Sequence, residues 1–401
     1  MQRSFLALQG TASPFFRQLL AALAERRHKT QRVNFCGGDL AYAGTGPSWN
    51  YQERLEDLPA RYAEMLRSGS FTDVVLFGDC RKIHQAIFAP AGELGVRVHV
   101  FEEGYVRPHW LTLEQHGVNG RSRLPRDPEW YLAHRGTIPS PPRVHATGYN
   151  LYERAYHDIR YRAANALYAS RFPHYQSHRP HSGLREYAGL ARRLLQQRQH
   201  RAEAHRVAER LLTTKQPFFL FPLQLNSDSQ IQVHSPFISI RHVIDHVLTS
   251  FAAHAPADTL LVIKNHPLDT GLIDYRHYTR KCAKVLGIGD RLEFIDAGHL
   301  PTLLDHARGV VVVNSTVGLS ALHHRRPLMA LGTSIYGMEG MTWQGSLDDF
   351  WRDAQGPNMD LYQAFLGYLL HHTQINGDFY TSTGIPMAVA GAVERLETAS
   401  Q

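Results

Sequence analysis

The chain has 401 residues, 43% hydrophobic and 20% charged, with 43 Lys and Arg against 36 Asp and Glu. That length exceeds one typical core and predicts two domains, and the apolar content argues against a globally disordered chain. A net charge of +7 with 25 histidines suits an anionic partner, and three scattered cysteines without CxxC spacing argue against a disulfide framework or a zinc site and fit a reducing cytoplasm.

The opening MQRSFLALQG lacks the apolar core of a signal peptide, and no run approaches the ~20 apolar residues that span a bilayer. The expectation is a cytoplasmic protein, at most peripheral to the inner membrane. Strands alternate with helical patterns, the mark of α/β units with parallel sheets. Phe5–Gln9 reads as a strand, followed by a turn at Gly10–Pro14 and a helix from Phe15 to Arg27 with Phe16, Leu19, Leu20 and Leu23 on one face. Arg32–Cys36 and Asp73–Phe77 read as strands around a helix near Leu55–Ser68, and a helix near Arg81–Leu94 precedes the strand that ends in Phe101. Leu111–Pro142 reads as loop. Two basic helical stretches follow, Tyr149–Phe172 and Gly183–Leu212. The first, rich in Arg and Tyr, suits either an anionic membrane surface or a solvated, interdomain position.

The second half restarts at the strand Pro217–Pro222. Further strands are expected at Thr259–Lys264, Leu292–Ile295, Gly309–Val313 and Pro327–Leu331, with helices at Ile240–Ala253, Leu300–His306 and Leu319–His324. The tail from about Leu347 reads as helical. The fold class is α/β, two Rossmann-like domains facing a cleft, the architecture called GT-B among glycosyltransferases. The expected division is residues 1–150, a basic helical connector 151–215, a second domain 216–345 and a helical tail 346–401.

Ligands of open parallel sheets sit beyond the carboxyl ends of the strands. Asp79, the pair Glu102-Glu103, His266-Pro267 and Asn314–Gly318 all fall at such ends. Two adjacent glutamates closing a strand suggest that one handles a proton, since neighbouring carboxylates repel and one is then expected to be harder to ionise. Solvated strand-end acids are the plainer alternative. In NSTVGLSALHH, the helix amides and the Ser315 and Thr316 hydroxyls suit a phosphate or carboxylate, with Gly318 letting a ligand approach the backbone; an ordinary helix cap fits equally. Lys264 and His266 can meet a leaving phosphate. Asp228 can serve as a nucleophile or close a simple turn. Asp79 reads as a helix cap, with Arg81 and His84 on the first helical turn, where they either reach an acceptor or are simply solvated. Neither GxxxxGK[ST] nor GxGxxG occurs, which leaves a P-loop NTPase or a dinucleotide dehydrogenase unsupported.

With EEGYVRP, NSDSQI, NHP, NSTVGLSAL and SIYGMEGMTWQG in this order, the chain resembles bacterial capsule polysaccharide biosynthesis proteins of the KpsS/LipB type, related to the two-module KpsC/LipA proteins. The resemblance spans roughly Phe5 to Gly345. It implies a retaining transfer of β-linked Kdo, an eight-carbon acidic sugar, from CMP-β-Kdo to phosphatidylglycerol or its lyso form. A KpsC-type protein would then extend the linker on which capsule is exported. By the same resemblance Glu102-Glu103-Gly104-Tyr105 is the acidic motif, Gln224 and Asp228 belong to the segment carrying a covalent nucleophile, and His266-Pro267 is the motif shared with sialyltransferases. Ser315, Thr316 and Gly318 match the donor loop, with Asn314 expected beside them; apart from the resemblance, Asp79, Arg81, His84, Tyr105 and Arg107 are expected on the acceptor side. Asn226-Ser227 stand where relatives often carry acids, leaving Asp228 the only carboxylate of its segment. Neither a metal nor a cofactor is expected, and nucleic acid is not an expected partner. Other readings are a linker-extending Kdo transferase, another CMP- or UDP-sugar transferase or epimerase of the same fold, and a non-catalytic assembly or lipid-binding protein.

Overall fold

The computed structural model describes residues 2–177, 183–226 and 229–398. Its strands, in chain order, are β1 (Ser4–Ala7), β2 (Lys29–Asn34), β3 (Ser48–Asn50), β4 (Asp73–Phe77), β5 (Arg97–Glu103), β6 (Trp110–Gln115), β7 (Phe218–Pro222), β8 (Leu260–Lys264), β9 (Leu292–Ile295), β10 (Gly309–Val312), β11 (Leu328–Ala330) and β12 (Gln374–Asn376). They form two sheets in two compact units. One unit gathers Met1–Arg123, Pro139–His178 and Gly367–Gln401; the other gathers Leu124–Ile138 and Arg179–Leu366.

The first sheet has the order β12-β6-β5-β4-β1-β2-β3, in which β1 to β5 are parallel and β6 and β12 are antiparallel to their neighbours. Helices Phe15–Glu25 and Gly384–Thr398 cover one face through Phe15, Phe16, Leu19, Ala388 and Leu396, which pack with Phe101 and Leu113. Helices Leu58–Gly69 and Phe88–Glu93 cover the other, with Leu58, Tyr62 and Leu66 against Val74, Leu76 and Val100. Burial on both faces explains why β1 and β4 read as nearly unbroken apolar runs.

The second sheet is all parallel, in the order β11-β10-β7-β8-β9. Its core sets Phe219, Phe221, Ile263 and Val311 against Ile244, Val247 and Phe251 of helix Ile240–His254 and against Phe350 and Trp351 of helix Leu347–Asp353. Each sheet has a point where the strand order reverses. In the first, the chain runs from β1 outward to β3, then returns to the other side of β1 with β4. In the second it runs from β7 outward to β9, then returns with β10. The loops after β1 and β4, and after β7 and β10, therefore stand at the switch points where open parallel sheets usually hold ligands.

Several local expectations change. Strand β5 runs Arg97–Glu103, so the two glutamates close it as expected, although the apolar part read from sequence stopped at Phe101. The stretch expected as loop, Leu111–Pro142, contains almost all of β6 and the helix Pro128–His134. The helix expected over Arg81–Leu94 is two pieces, Lys82–Gln85 and Phe88–Glu93. Pro90 has no amide to give the Ala86 carbonyl, which ends the first piece. Of the two basic helices, Leu151–Leu167 belongs to the first unit and Gly183–Thr214 to the second. The tail holds helices Leu347–Asp353, Met359–Thr373 and Gly384–Thr398 and a strand, β12, and its end completes the first unit.

Candidate active site

In the second unit, Gln224 and Asn314 each stand two residues past the end of a strand, β7 and β10, at the point where the order reverses. The Gln224 side-chain amide donates to Asn314 Oδ1 at 3.0 Å, and the Asn314 backbone amide donates to Gln224 Oε1 at 3.3 Å. Asn314 Nδ2 also donates to the His234 carbonyl at 3.2 Å. Both side chains are buried. Two residues expected to bind a donor are thus brought together, and these bonds lock the two loops to each other. Asn226, further along the β7 loop, accepts the Ile240 amide at 3.0 Å. Asp228, the expected nucleophile, lies outside the described residues.

The loop after β10 uses part of its own polarity. Ser315 Oγ accepts the Val317 amide at 3.2 Å, and the Gly318 and Leu319 amides donate to the Ser315 and Thr316 carbonyls. Gly318 does not open the backbone to a ligand, contrary to expectation. A side chain there would meet the Tyr336 hydroxyl at 2.2 Å. The bare Cα makes room for that ring, whose hydroxyl donates to the Ser315 carbonyl at 2.6 Å. Tyr336 belongs to the SIYGMEGMTWQG stretch, which has no role assigned to it from sequence.

At the end of β8, His266 Nδ1 accepts the Leu268 amide at 3.1 Å. A nitrogen that accepts carries no proton, so in the neutral ring the proton resides on Nε2, which is a donor. Pro267 and Leu268 are exposed beside it. Lys264 is buried, and burial pulls its ammonium below the usual lysine range, with Asp296 opposing and Arg193 adding to the effect. Beneath this loop runs an ion network that single residues in the sequence did not signal. Arg193, on helix Gly183–Thr214, bridges Asp269 at 2.8 Å and Asp296 at 3.1 Å. Asn265 donates to both acids, and Arg276 joins Asp296 to Glu203. Asn265 Oδ1 in turn accepts the His266 amide at 2.8 Å. The imidazole is therefore carried on a braced loop.

In the first unit, the alternation of a strand sends Glu102 and Glu103 to opposite faces of β5. They are not the side-by-side carboxylates that a repulsion argument requires. Glu103 Oε1 pairs with Arg154 at 3.2 Å and accepts from the Tyr380 hydroxyl at 3.1 Å. Glu102 Oε1 accepts the Glu103 amide at 2.9 Å, and its other oxygen lies near Gly78. A buried carboxyl of this unit that is hard to ionise is a different one, Glu114 on β6. Desolvation pushes it up to about 7. It accepts from the Ser122 hydroxyl and, at 2.6 Å, from the Tyr105 hydroxyl. Along WLTLEQ, Glu114 shares a face with Trp110 and Thr112 and alternates with Leu111 and Leu113, a pattern that would place it toward solvent, so its burial carries no signal in the sequence.

Other acceptor-side expectations change as well. Tyr105 is buried, and its hydroxyl also accepts the Asn119 amide, so it fastens a loop. Asp79 caps no helix; Arg81 holds the N-cap position, while Asp79 accepts from Cys80 Sγ and the Val118 amide. His84 is fully buried with Nδ1 on the Gly78 carbonyl, and burial pushes it down to about 3, so it is a neutral core residue without access to an acceptor. Arg81 bridges the loops after β4 and β1 through Gln9 Oε1 at 2.9 Å and the Gly10 carbonyl. Arg107 is exposed, with Nε on the Gly104 carbonyl.

Two α/β units, each with polar loops where a parallel sheet reverses its strand order, give the chain a GT-B-type fold. The sequence profile described as capsule polysaccharide biosynthesis protein matches residues 72–380, and the chain belongs to that family. It is 35% identical over 381 residues to the capsule polysaccharide export protein KpsS of Escherichia coli, covering 94% of this chain and 97% of that protein. It is 34% identical over 392 residues to the capsule polysaccharide modification protein LipB of Neisseria meningitidis, covering 96% and 93%. Among solved structures, Thermosulfurimonas dismutans KpsC, a beta Kdo 2,7 transferase, matches with a TM-score of 0.48 and 15% identity, covering 99% of this chain and 100% of that one.

Proposed function

We propose that this chain is a retaining glycosyltransferase of GT-B type that moves Kdo from CMP-β-Kdo to phosphatidylglycerol or its lyso form and so begins the poly-Kdo linker of an exported capsule. Membership of the capsule biosynthesis family supports the pathway. The observation that carries the chemistry is His266, whose Nδ1 accepts a backbone amide and whose Nε2 is thereby a donor at the strand ends of the second sheet.

In the first step an Asp228 carboxylate oxygen attacks the anomeric carbon, and the bond from that carbon to the CMP phosphate oxygen breaks with its electron pair leaving on CMP. His266 Nε2–H and the Lys264 ammonium meet the developing phosphate charge. In the second step the acceptor hydroxyl attacks the same carbon, its proton passes to a glutamate, and Asp228 is released. Two inversions give overall retention, the logic of retaining glycosidases. Glu102 suits the base better than Glu103, which would have to surrender its pair with Arg154 to take a proton. Cationic side chains meet the phosphate, so this reading calls for neither metal nor cofactor. The protein would work at the cytoplasmic surface of the inner membrane, supplying a KpsC-type transferase and the capsule export machinery.

The test is incubation with CMP-Kdo generated in situ and a fluorescent phosphatidylglycerol, wild type beside Asp228→Ala and His266→Ala, read by mass spectrometry. One added Kdo, lost in both variants, is expected. Activity only on a Kdo-bearing lipid would make the protein an extender, and an unimpaired Asp228→Ala would remove the covalent step.

A further inference from the structure

Helix Leu151–Leu167 carries its polarity inside out. A surface helix of a soluble protein turns its apolar stripe to the core and its charges to water. Here the inward face holds Arg154, His157, Tyr161 and Asn165. Tyr161 donates to Asp39 Oδ1 at 2.9 Å, Asn165 Oδ1 accepts the Gly38 amide at 2.6 Å, and His157 meets the Tyr42 hydroxyl at 2.8 Å. Gly37 and Gly38 have no side chains to obstruct this approach; a Cβ on Gly37 would stand 2.2 Å from the Ala164 carbonyl oxygen. The outward face holds Tyr152, Tyr156, Ile159 and Leu167, which are 87%, 60%, 56% and 73% exposed. Their spacing of four, three and eight residues keeps them on one line of the helix.

The charges around this stripe are of one usable sign. Glu153 is taken up by Asn150 and the Ser382 amide, and Asp158 by Arg162. Arg160, Arg171 and, in the loop leading in, Arg143 are exposed; no carboxylate is paired with them among the described residues, Arg160 reaching only the Ala41 carbonyl at 3.3 Å and the Tyr42 ring, and Arg171 the Tyr168 ring. Exposed tyrosines and an isoleucine between arginines match the boundary of an anionic bilayer, where aromatic rings sit at headgroup depth and guanidinium groups meet lipid phosphate. The same helix reaches the candidate site, because Arg154 on its inner face is the partner of Glu103. A helix is ~10 Å across, so headgroups meeting the outer stripe would lie about one helix diameter from the end of β5.

We propose that the outer stripe of helix Leu151–Leu167 is a docking surface for an anionic lipid bilayer, with Tyr152, Tyr156 and Ile159 inserted among the headgroups and Arg160 on lipid phosphate. This rests on the transferase reading for its purpose, since it names the surface that meets the lipid acceptor.

Sedimentation with vesicles tests it. Full-length protein is mixed with vesicles of phosphatidylcholine alone or of equal parts phosphatidylcholine and phosphatidylglycerol. Wild type is expected to pellet with the anionic vesicles. Binding is expected to fall about tenfold or more in the combined Tyr152→Ser, Tyr156→Ser and Ile159→Ser variant, and Arg160→Glu to weaken the salt-sensitive part. These side chains are exposed, so unchanged circular dichroism and Tm are the accompanying controls. Wild type that ignores anionic vesicles, or a triple variant that binds as wild type does, overturns the proposal. So does a wild-type dimer that the triple variant converts to monomer without any vesicle binding, which would make the stripe an interface between copies. Transfer to a short-chain acceptor dispersed in detergent separates the two readings. A protein that docks through the stripe yet transfers no Kdo ends the transferase reading alone, and one that transfers Kdo but does not dock ends this one.

Discussion

Gln224 and Asn314 join the two loops at the switch point of the second sheet, side chain to side chain at 3.0 Å and backbone amide to side chain at 3.3 Å. Replacing Gln224 by Leu leaves the Asn314 amide and Oδ1 without these partners in a buried place. The expected cost is about 2 kcal/mol of stability, measured by denaturant unfolding. If the loops hold the nucleotide sugar, KM for the donor rises about tenfold while kcat changes less.

Tyr336 supports the neighbouring turn from behind. Tyr336→Phe removes the hydrogen bond to the Ser315 carbonyl and is expected to cost about 1 kcal/mol, with a rise in donor KM. Gly318→Ala is expected to cost more, about 2 to 3 kcal/mol, because the new methyl would overlap the Tyr336 hydroxyl. Equal Tm values for Gly318→Ala and wild type would contradict this packing.

The two glutamates of β5 are expected to separate cleanly. Glu103→Gln loses its pair with Arg154 and is expected to lower stability by about 1 kcal/mol, a figure held down by the partial exposure of both groups. Glu102→Gln is expected to leave Tm nearly unchanged and to lower kcat about a hundredfold or more through loss of the base. The reverse pattern would assign the proton transfer to Glu103.

Glu114 makes stability depend on pH in the direction opposite to that of a salt-bridged acid. Its folded value, about 7, lies above the unfolded value of 4.5, so the folded state binds more protons between the two. Stability from this group is therefore full below about 4.5 and is lost as pH rises through about 7, by about 3 kcal/mol in all. Glu114→Gln, which keeps an acceptor for Tyr105 and presents an amide to Ser122, is expected to flatten the fall in Tm between about pH 5 and pH 8. An unchanged slope would mean that the carboxyl ionises normally.

The strands of the two sheets and most loops at their ends were legible because parallel strands buried on both faces are short apolar runs closed by polar or glycine residues. Asp73–Phe77 and Leu292–Ile295 appear with the expected bounds. Strand β6 was hidden because its antiparallel pairing with β5 comes from distant context, in a stretch crowded with glycine and proline. The candidate residues were legible as positions and less so as roles. His84 and Tyr105 look like surface ligands in sequence, yet burial makes one a neutral core histidine and the other a tether for Glu114.

By itself the sequence determined the family and the strand ends at which candidate residues gather: motif order and strand pattern both follow from local residue pattern. Only the tertiary structure decided what surrounds each group. It set which carboxyls resist ionisation, filled the space above Gly318 with Tyr336, and turned the apolar side of helix Leu151–Leu167 outward. Each of these depends on residues far apart in the chain, because desolvation, close packing and face selection are properties of neighbours in space that a periodicity along the chain does not encode.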